Sequence, residues 1–299
     1  MKPAVKNGLK VVVGVALLAL LLSAVEPREL LATLRSADPL PLAGAFAAFV
    51  VMNLFEGWRT QIVFERYRLT FGTAFRITLV GTFLGNFTPG MVGADLYKVY
   101  FLHRRERGFA RPIALLLLLR VLGMICVFAL AGLGLLAGHG WRTEPLARSV
   151  LAFGIMDRVR AVVDELKDAV RQVRAPQLGA LVLLSAGVAV ARALSLWWLV
   201  LAFTDGVLFW DLAVVVAFSV VANAVPITIG GLGLQEGAVA AGLVLYGVAR
   251  PDAVAVSLLN RVFVWVISIP GAIAFVRSRE EREEKEDTDQ HGPARTTTD

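Results

Sequence analysis

The feature that most constrains this chain is an apolar stretch, residues 71–102, that is interrupted in its middle. The apolar run on either side of the interruption is too short to cross a bilayer, which takes about 20 residues. Pro89 lacks a backbone donor, and Gly90 and Gly93 permit turns that other residues resist. The pattern predicts a helix that enters the membrane, breaks, and turns into a second half-helix near Val92. Because broken backbone at membrane depth must be covered by protein or water, the break should line an internal cavity.

The same pattern occurs a second time. Asn86 lies three residues before Pro89, and Asn223 lies three residues before Pro226. Glycines and then an acidic residue follow in both copies: Gly90, Gly93 and Asp95 in the first, and Gly230, Gly231, Gly233 and Glu236 in the second. Paired interrupted segments are the best sequence indicator of a transporter binding site. The alternative is an old duplication that is retained only for helix packing.

Composition places the chain among polytopic helical membrane proteins. Of its 299 residues 57% are hydrophobic, and the mean hydropathy is +0.68; ordinary soluble domains are about 45–50% apolar. The net charge of +6, carried mostly by arginine, indicates cytoplasmic loops and anionic lipid headgroups rather than nucleic acid. Cys126 is the only cysteine and the three histidines are scattered, so neither a metal centre nor another cofactor is expected.

We therefore predict an all-α polytopic membrane protein with two structural repeats, each containing a Pro/Gly-broken re-entrant helical hairpin. Residues 1–276 form the transmembrane domain, and 277–299 form a disordered charged tail. The domain is divided into repeat one at about 41–137, an amphipathic surface helix at about 157–174, and repeat two at about 178–276. Residues 26–39 are expected to form a short loop.

The predicted location is the cell membrane, with several spans. Lysines before the apolar run Val11–Val25 indicate an uncleaved first helix with its N-terminus in the cytoplasm. The basic content of 142–174 also favours the cytoplasm, although the helix 112–137 starts there and should end outside. Either part of 140–156 crosses or re-enters the membrane, or the basic helix is extracytoplasmic. We favour a return, which inverts the second repeat.

Three arginines lie within apolar runs: Arg120, Arg192 and Arg261. An arginine at a helix centre costs about 2.5–3.5 kcal/mol on insertion, so three are an expensive way to build an inert bundle. Guanidinium groups bind phosphate in a bidentate manner, and half-helix N-termini add backbone donors. Arg59 belongs to the same set unless it is an ordinary arginine at the membrane interface. Glu56 lies three residues before it and is its candidate partner on the same helix face. The pattern predicts a cavity for an anionic lipid headgroup.

The two acids, Asp95 and Glu236, have two interpretations. An acid in the first turn of a half-helix satisfies free backbone donors and the helix dipole, and it can pair with a buried arginine. Alternatively, these acids contact a cationic part of the substrate or couple transport to protons. Lys98 lies one turn after Asp95 on the same half-helix.

Both sets of residues resemble the signatures of the lysylphosphatidylglycerol synthase transmembrane family, also called the flippase-like domain family. The first set is followed by Lys98 and Arg120 and the second by Arg261, and the resemblance covers about residues 8–276. In two-domain members the membrane region moves aminoacylated phosphatidylglycerol across the cytoplasmic membrane, and a soluble synthase domain adds the amino acid. No synthase domain follows here, so the resemblance implies a stand-alone member, a kind linked to lipid or lipid-linked glycan pathways. The chain departs from the usual pattern at 140–175, where a further span is expected.

The leading hypothesis is a lipid transporter for an anionic phospholipid or a polyprenyl-phosphate-linked lipid. An enzyme is not expected, because the sequence lacks a convincing nucleophile–base set. The alternatives are a membrane enzyme for a lipid-linked substrate, and a scaffold that recruits a soluble synthase or glycosyltransferase through 157–174; a homodimer is a further candidate assembly. The predicted substrate-binding residues are Arg59, Asn86, Pro89, Gly90, Gly93, Asp95, Lys98, Arg120, Arg192, Asn223, Pro226, Gly230, Gly231, Gly233, Glu236 and Arg261.

Overall fold

The described part of the chain is built from ten α-helices, which confirms the all-α prediction. The computed structural model describes residues 3–88, 92–103, 109–136, 170, 173–224 and 227–290. The helices are α1 Pro3–Ser23, α2 Pro27–Ser36, α3 Pro39–Val63, α4 Phe71–Gly85, α5 Val92–His103, α6 Ala110–Leu136, α7 Ala175–Leu201, α8 Phe209–Ala224, α9 Leu234–Leu245 and α10 Arg250–Gln290.

Within these ranges four helices are long and apolar enough to cross a membrane: α3, α6, α7 and the part of α10 from Arg250 to Ser278. The chain is therefore a multi-pass membrane protein by length and composition. Helices α4, α8 and α9 are apolar but have only 15, 16 and 12 residues. Helix ends fall at both predicted interruptions, between α4 and α5 and between α8 and α9.

The segment 26–39, expected to be a loop, contains the short helix α2. Pro27 stands at its first position, where the missing backbone donor costs nothing. Glu29 lies in the first turn and Arg35 in the last, an order that favours the helix dipole. The loop prediction was wrong because these terminal residues favour a helix even though the segment has few apolar residues.

The centre of the bundle is a close antiparallel pair, α3 and α7. Glycines mark the contact: a side chain at Gly44 would meet the ring of Trp198 at 2.7 Å, and one at Gly187 would meet the ring of Phe55 at 3.0 Å. Ser195 on α7 donates a hydrogen bond to the carbonyl of Ala45 on α3 at 2.8 Å. Small side chains let the two backbones approach, and the crossing hydrogen bond satisfies a polar group inside the bundle.

The short helices pack in a reciprocal pattern around this pair. Helix α4 packs mainly on α10, and α8 packs mainly on α6. The first interrupted segment thus packs on α10, the long helix after the second segment. The second interrupted segment packs on α6, the long helix after the first. Glycines mark both crossings, since a side chain at Gly134 would meet the carbonyl of Trp210 at 2.7 Å and one at Gly271 would meet the backbone of Leu79.

The two interrupted segments begin at opposite ends of the bundle. The end of α3 lies beside the start of α7, where Arg174 and Glu65 form an ion pair at 3.4 Å. At the other end the amide of Asp38 donates to the carbonyl of Ala202 at 2.9 Å. Helix α4 follows the first of these ends and α8 follows the second. Most of the segment 137–174, with the predicted crossing at 140–156 and most of the surface helix, lies outside the described residues.

Helix α10 continues through 277–290, which the sequence analysis assigned to the charged tail. This region is rich in glutamate, lysine and arginine, all of which are good helix formers. Residues 291–299 lie outside the described part of the chain.

The close crossing of α4 and α10 predicts that Gly271→Ala destabilises the protein. The added methyl group would meet the backbone of Leu79, which cannot move aside as a side chain can, so we expect a loss of about 1–3 kcal/mol. Gly132→Ala is the matched control, because nothing lies within 4 Å of its added carbon. Thermal unfolding in detergent should show a lower midpoint for the first variant only, and equal midpoints would contradict the contact.

Candidate functional site

A cavity of about 320 Å³ lies between the long helices and the first interrupted segment. Apolar side chains such as Met52, Val188 and Val216 form much of its wall. Its polar and charged lining residues are Asn53, Glu56, Arg59, Thr78, Thr82, Asp95, Lys98, Arg120, Arg192, Ser219, Asn223, Gln235, Asn260 and Arg261. Five of these are cationic and two are acidic, so the lining has a net positive charge.

Arg59 serves mainly to join α3 to α6. Its Nη1 donates to Glu56 Oε1 at 2.9 Å, and its Nη2 donates to the backbone carbonyl of Leu119. The residue is only 3% exposed. The paired position predicted for Arg59 and Glu56 is confirmed, and the interfacial interpretation of Arg59 is wrong because packing of α6 over α3 covers it.

Arg120 and Asp95 pair across α6 and α5, with 3.4 Å between Nη2 and Oδ2. Both side chains are partly exposed, at 47% and 36%. An ion pair that water still reaches contributes only about 0–1 kcal/mol, so it can open at little cost.

Lys98 and Arg192 differ from the other cations of the cavity. No described residue accepts a hydrogen bond from either side chain or forms an ion pair with it within 4.0 Å. Lys98 is only 8% exposed, and Arg192 is half-buried in the middle of α7. The carboxylate of Glu56 lies within electrostatic range of both.

Arg261 is fully engaged in holding the second interruption. Its Nε donates to Glu236 Oε1, its Nη1 donates to the carbonyl of Gly230 at 2.9 Å, and its Nη2 donates to Gln235 Oε1 at 3.2 Å. The other carboxylate oxygen of Glu236 accepts from the amide of Gly233 at 2.7 Å, at the start of α9. Arg261 and Glu236 are 6% and 2% exposed. This is the pairing predicted as one of the two roles of Glu236.

The two interrupted segments meet directly. The amide of Gly230 donates to the carbonyl of Thr88 at 2.9 Å. A side chain at Gly230, whose φ is +60°, would collide with the backbone of Asn86. The hydroxyl oxygen of Thr88 accepts a hydrogen bond from the amide of Gly93 at 2.7 Å. It so satisfies one free backbone donor at the start of α5. The left-handed φ and the close approach both require glycine at position 230.

The family model described as lysylphosphatidylglycerol synthase TM region matches residues 8–271. The chain belongs to this family. The matched range includes both interrupted segments and the described lining of the cavity, and the resemblance inferred from the motifs is confirmed. A comparison with curated proteins finds no match.

The structure divides the predicted family site into three groups. One group lines the cavity: Arg59, Asp95, Lys98, Arg120, Arg192, Asn223 and Arg261. A second group belongs to the interruptions and their helix starts, beside the cavity: Asn86, Gly93, Gly230, Gly231, Gly233 and Glu236. The third lies outside the described residues: Pro89, Gly90 and Pro226. Substrate binding by any of them stays a prediction.

Several polar lining residues were absent from the predicted set, and helical spacing could have found some of them. Asn53 and Glu56 lie on the α3 face that also carries Arg59, at a spacing of three residues. Thr78 and Thr82 are four apart on α4 and also line the cavity. No local signal distinguishes Ser219 or Gln235, whose place in the lining depends on how the helices pack.

The contrast between two arginines of the family signature gives a direct test. Arg261→Gln should destabilise the protein by about 3–5 kcal/mol, because it leaves the buried carboxylate of Glu236 without its partner. Arg120→Gln removes an ion pair that is partly open to water and should cost less than about 1 kcal/mol. Chemical unfolding of both variants checks this, and equal losses would show that the two pairs do not differ in burial.

Proposed function

We propose that this protein is a lipid transporter that moves an anionic phospholipid or a polyprenyl-phosphate-linked lipid between membrane leaflets, without changing it chemically. The headgroup would enter the central cavity while the chains stay in the bilayer. A volume of about 320 Å³ lies at the lower end of the range of about 300–1,000 Å³ for ligand pockets, which suits a headgroup better than a whole lipid.

The observation that carries this proposal is the pair of unpartnered cations, Lys98 and Arg192. A charged side chain in the apolar part of a membrane costs about 2.5–3.5 kcal/mol unless a partner offsets it. The other cavity arginines have direct protein partners, whereas these two have no described hydrogen-bond or ion-pair partner, and Glu56 acts on both only over a longer distance. An anion bound in the cavity would offset their positive charge, and phosphate suits the planar guanidinium of Arg192.

The interrupted segments supply a route for alternating access. In the proposed arrangement they are inverted re-entrant repeats, and relative movement of the two halves exposes the cavity to each leaflet in turn. Three observations support this: they begin at opposite ends, each packs on the long helix after the other, and a backbone hydrogen bond joins Gly230 to Thr88. In this arrangement the N-terminus and the basic loop 103–107 are cytoplasmic, in the cell membrane.

Two kinds of protein partner are compatible with the proposed transport. A soluble synthase or glycosyltransferase could supply or consume the lipid, and a homodimer would place two cavities side by side. The main distinction is from an enzyme, because a transporter returns the same lipid that it receives.

Transfer in proteoliposomes tests the function. Wild-type protein should move phosphatidylglycerol with a labelled headgroup between leaflets faster than phosphatidylcholine, and mass spectrometry should show the lipid unaltered. Arg192→Gln and Lys98→Gln should each lower the rate by about tenfold or more, since a hydrogen bond to a charged group contributes about 1.5–3 kcal/mol.

Arg28→Gln on α2 is the matched control, because Arg28 is exposed and does not line the cavity. It should transfer at the wild-type rate. Undiminished transfer by folded Arg192→Gln and Lys98→Gln proteins would overturn the site, and the absence of transfer of phosphatidylglycerol and of a polyprenyl phosphate alike would overturn the function.

A further inference from the structure

A second cavity, of about 420 Å³, lies at the end of the bundle where α3 ends and α6 and α7 begin. Four arginines line it, from three separate places in the chain: Arg66, Arg68, Arg111 and Arg174. We call these four residues the arginine cleft. No described residue lines both this cavity and the central one.

The arginine cleft has a strong excess of positive charge. Glu65 is the one acidic residue in the described lining. It pairs with Arg174 at 3.4 Å, but the two side chains are 56% and 77% exposed, so water weakens the pair. Two helices, α6 and α7, also begin beside the cleft, and their free backbone donors and dipoles add to the attraction for an anion.

Arg111 lines the cavity, and no described residue forms a hydrogen bond or an ion pair with its guanidinium group. Its Nε is buried, and it has no hydrogen-bond partner among the described residues. A buried donor that is left unsatisfied costs about 1–3 kcal/mol, more for a charged group. The packing of Ile62, Leu115 and Val173 around the same cavity leaves apolar walls that do not satisfy it.

We propose that the arginine cleft binds a phosphate-bearing anion at a site separate from the transport cavity. Guanidinium groups bind phosphate oxygens in a bidentate manner, and several of them around one cavity favour a group with two or more negative charges. A phosphomonoester or diphosphate has this chemistry, either as a lipid headgroup of the adjoining leaflet or as a free ion. This inference does not rest on the transport function.

Binding to the purified full chain in nonionic detergent tests the site with two probes. Short-chain phosphatidic acid represents the lipid source, and inorganic pyrophosphate represents the free ion. Arg68→Gln combined with Arg174→Gln should raise the Kd of the bound probe at least tenfold, since it removes two exposed guanidinium groups from the cleft. Arg28→Gln combined with Arg35→Gln makes the same change of charge on α2, outside both cavities, and should leave the Kd within twofold.

The two probes distinguish which ligand binds, and a variant of the central cavity, Arg192→Gln, distinguishes where it binds. Binding of phosphatidic acid alone assigns a lipid, and binding of pyrophosphate that competes with it assigns the phosphate group itself. A loss of binding in Arg192→Gln but not in the Arg68→Gln, Arg174→Gln double variant would move the site to the central cavity and overturn the proposal. Failure of both probes to bind, or equal loss in the α2 control, would also overturn it.

Arg111→Lys provides a second variant that keeps the charge and removes the planar fork. It should weaken binding by about tenfold, because an ammonium group cannot replace the bidentate contact. An unchanged Kd in this variant would exclude Arg111 from the site and overturn the four-arginine site.

Discussion

The structure depends on the buried ion pair between Arg261 and Glu236. Irregular backbone inside a membrane is stable only if other groups satisfy its donors and acceptors. This pair does so for the second interruption: the carboxylate accepts from the amide of Gly233, and the guanidinium donates to the carbonyl of Gly230. Gly230 in turn donates to Thr88, so one buried pair stabilises both interruptions and the contact between them.

The charges of the central cavity have two different roles. Arg59 and Arg261 are almost fully buried and bind protein carbonyls and carboxylates, which makes them structural. Lys98 and Arg192 face the same cavity without a direct partner among the described residues, and Arg120 shares a partly exposed pair with Asp95. The proposed anionic lipid would supply the negative charge that these cations lack.

Reasoning from the sequence located the interruptions but could not separate these roles. All of these cations appear in the sequence as charges within or near apolar runs. Their partners are distant in the chain: Arg59 reaches Leu119, and Arg174 reaches Glu65. Helix α2 was missed for a different reason, since it has only ten residues, and its signals are Pro27 at the first position and three leucines on one face. Thr88 gave no signal because its role depends on backbone geometry.

The helical membrane class, the family and the positions of both interruptions follow from local sequence, because apolar length, proline and glycine act locally on the backbone. Helix packing, in contrast, places the starts of the two segments at opposite ends, joins Gly230 to Thr88, and leaves Lys98 and Arg192 without a hydrogen-bond or ion-pair partner among the described residues. These features arise from which helices pack together, and a contact between distant helices leaves no periodic pattern in the chain.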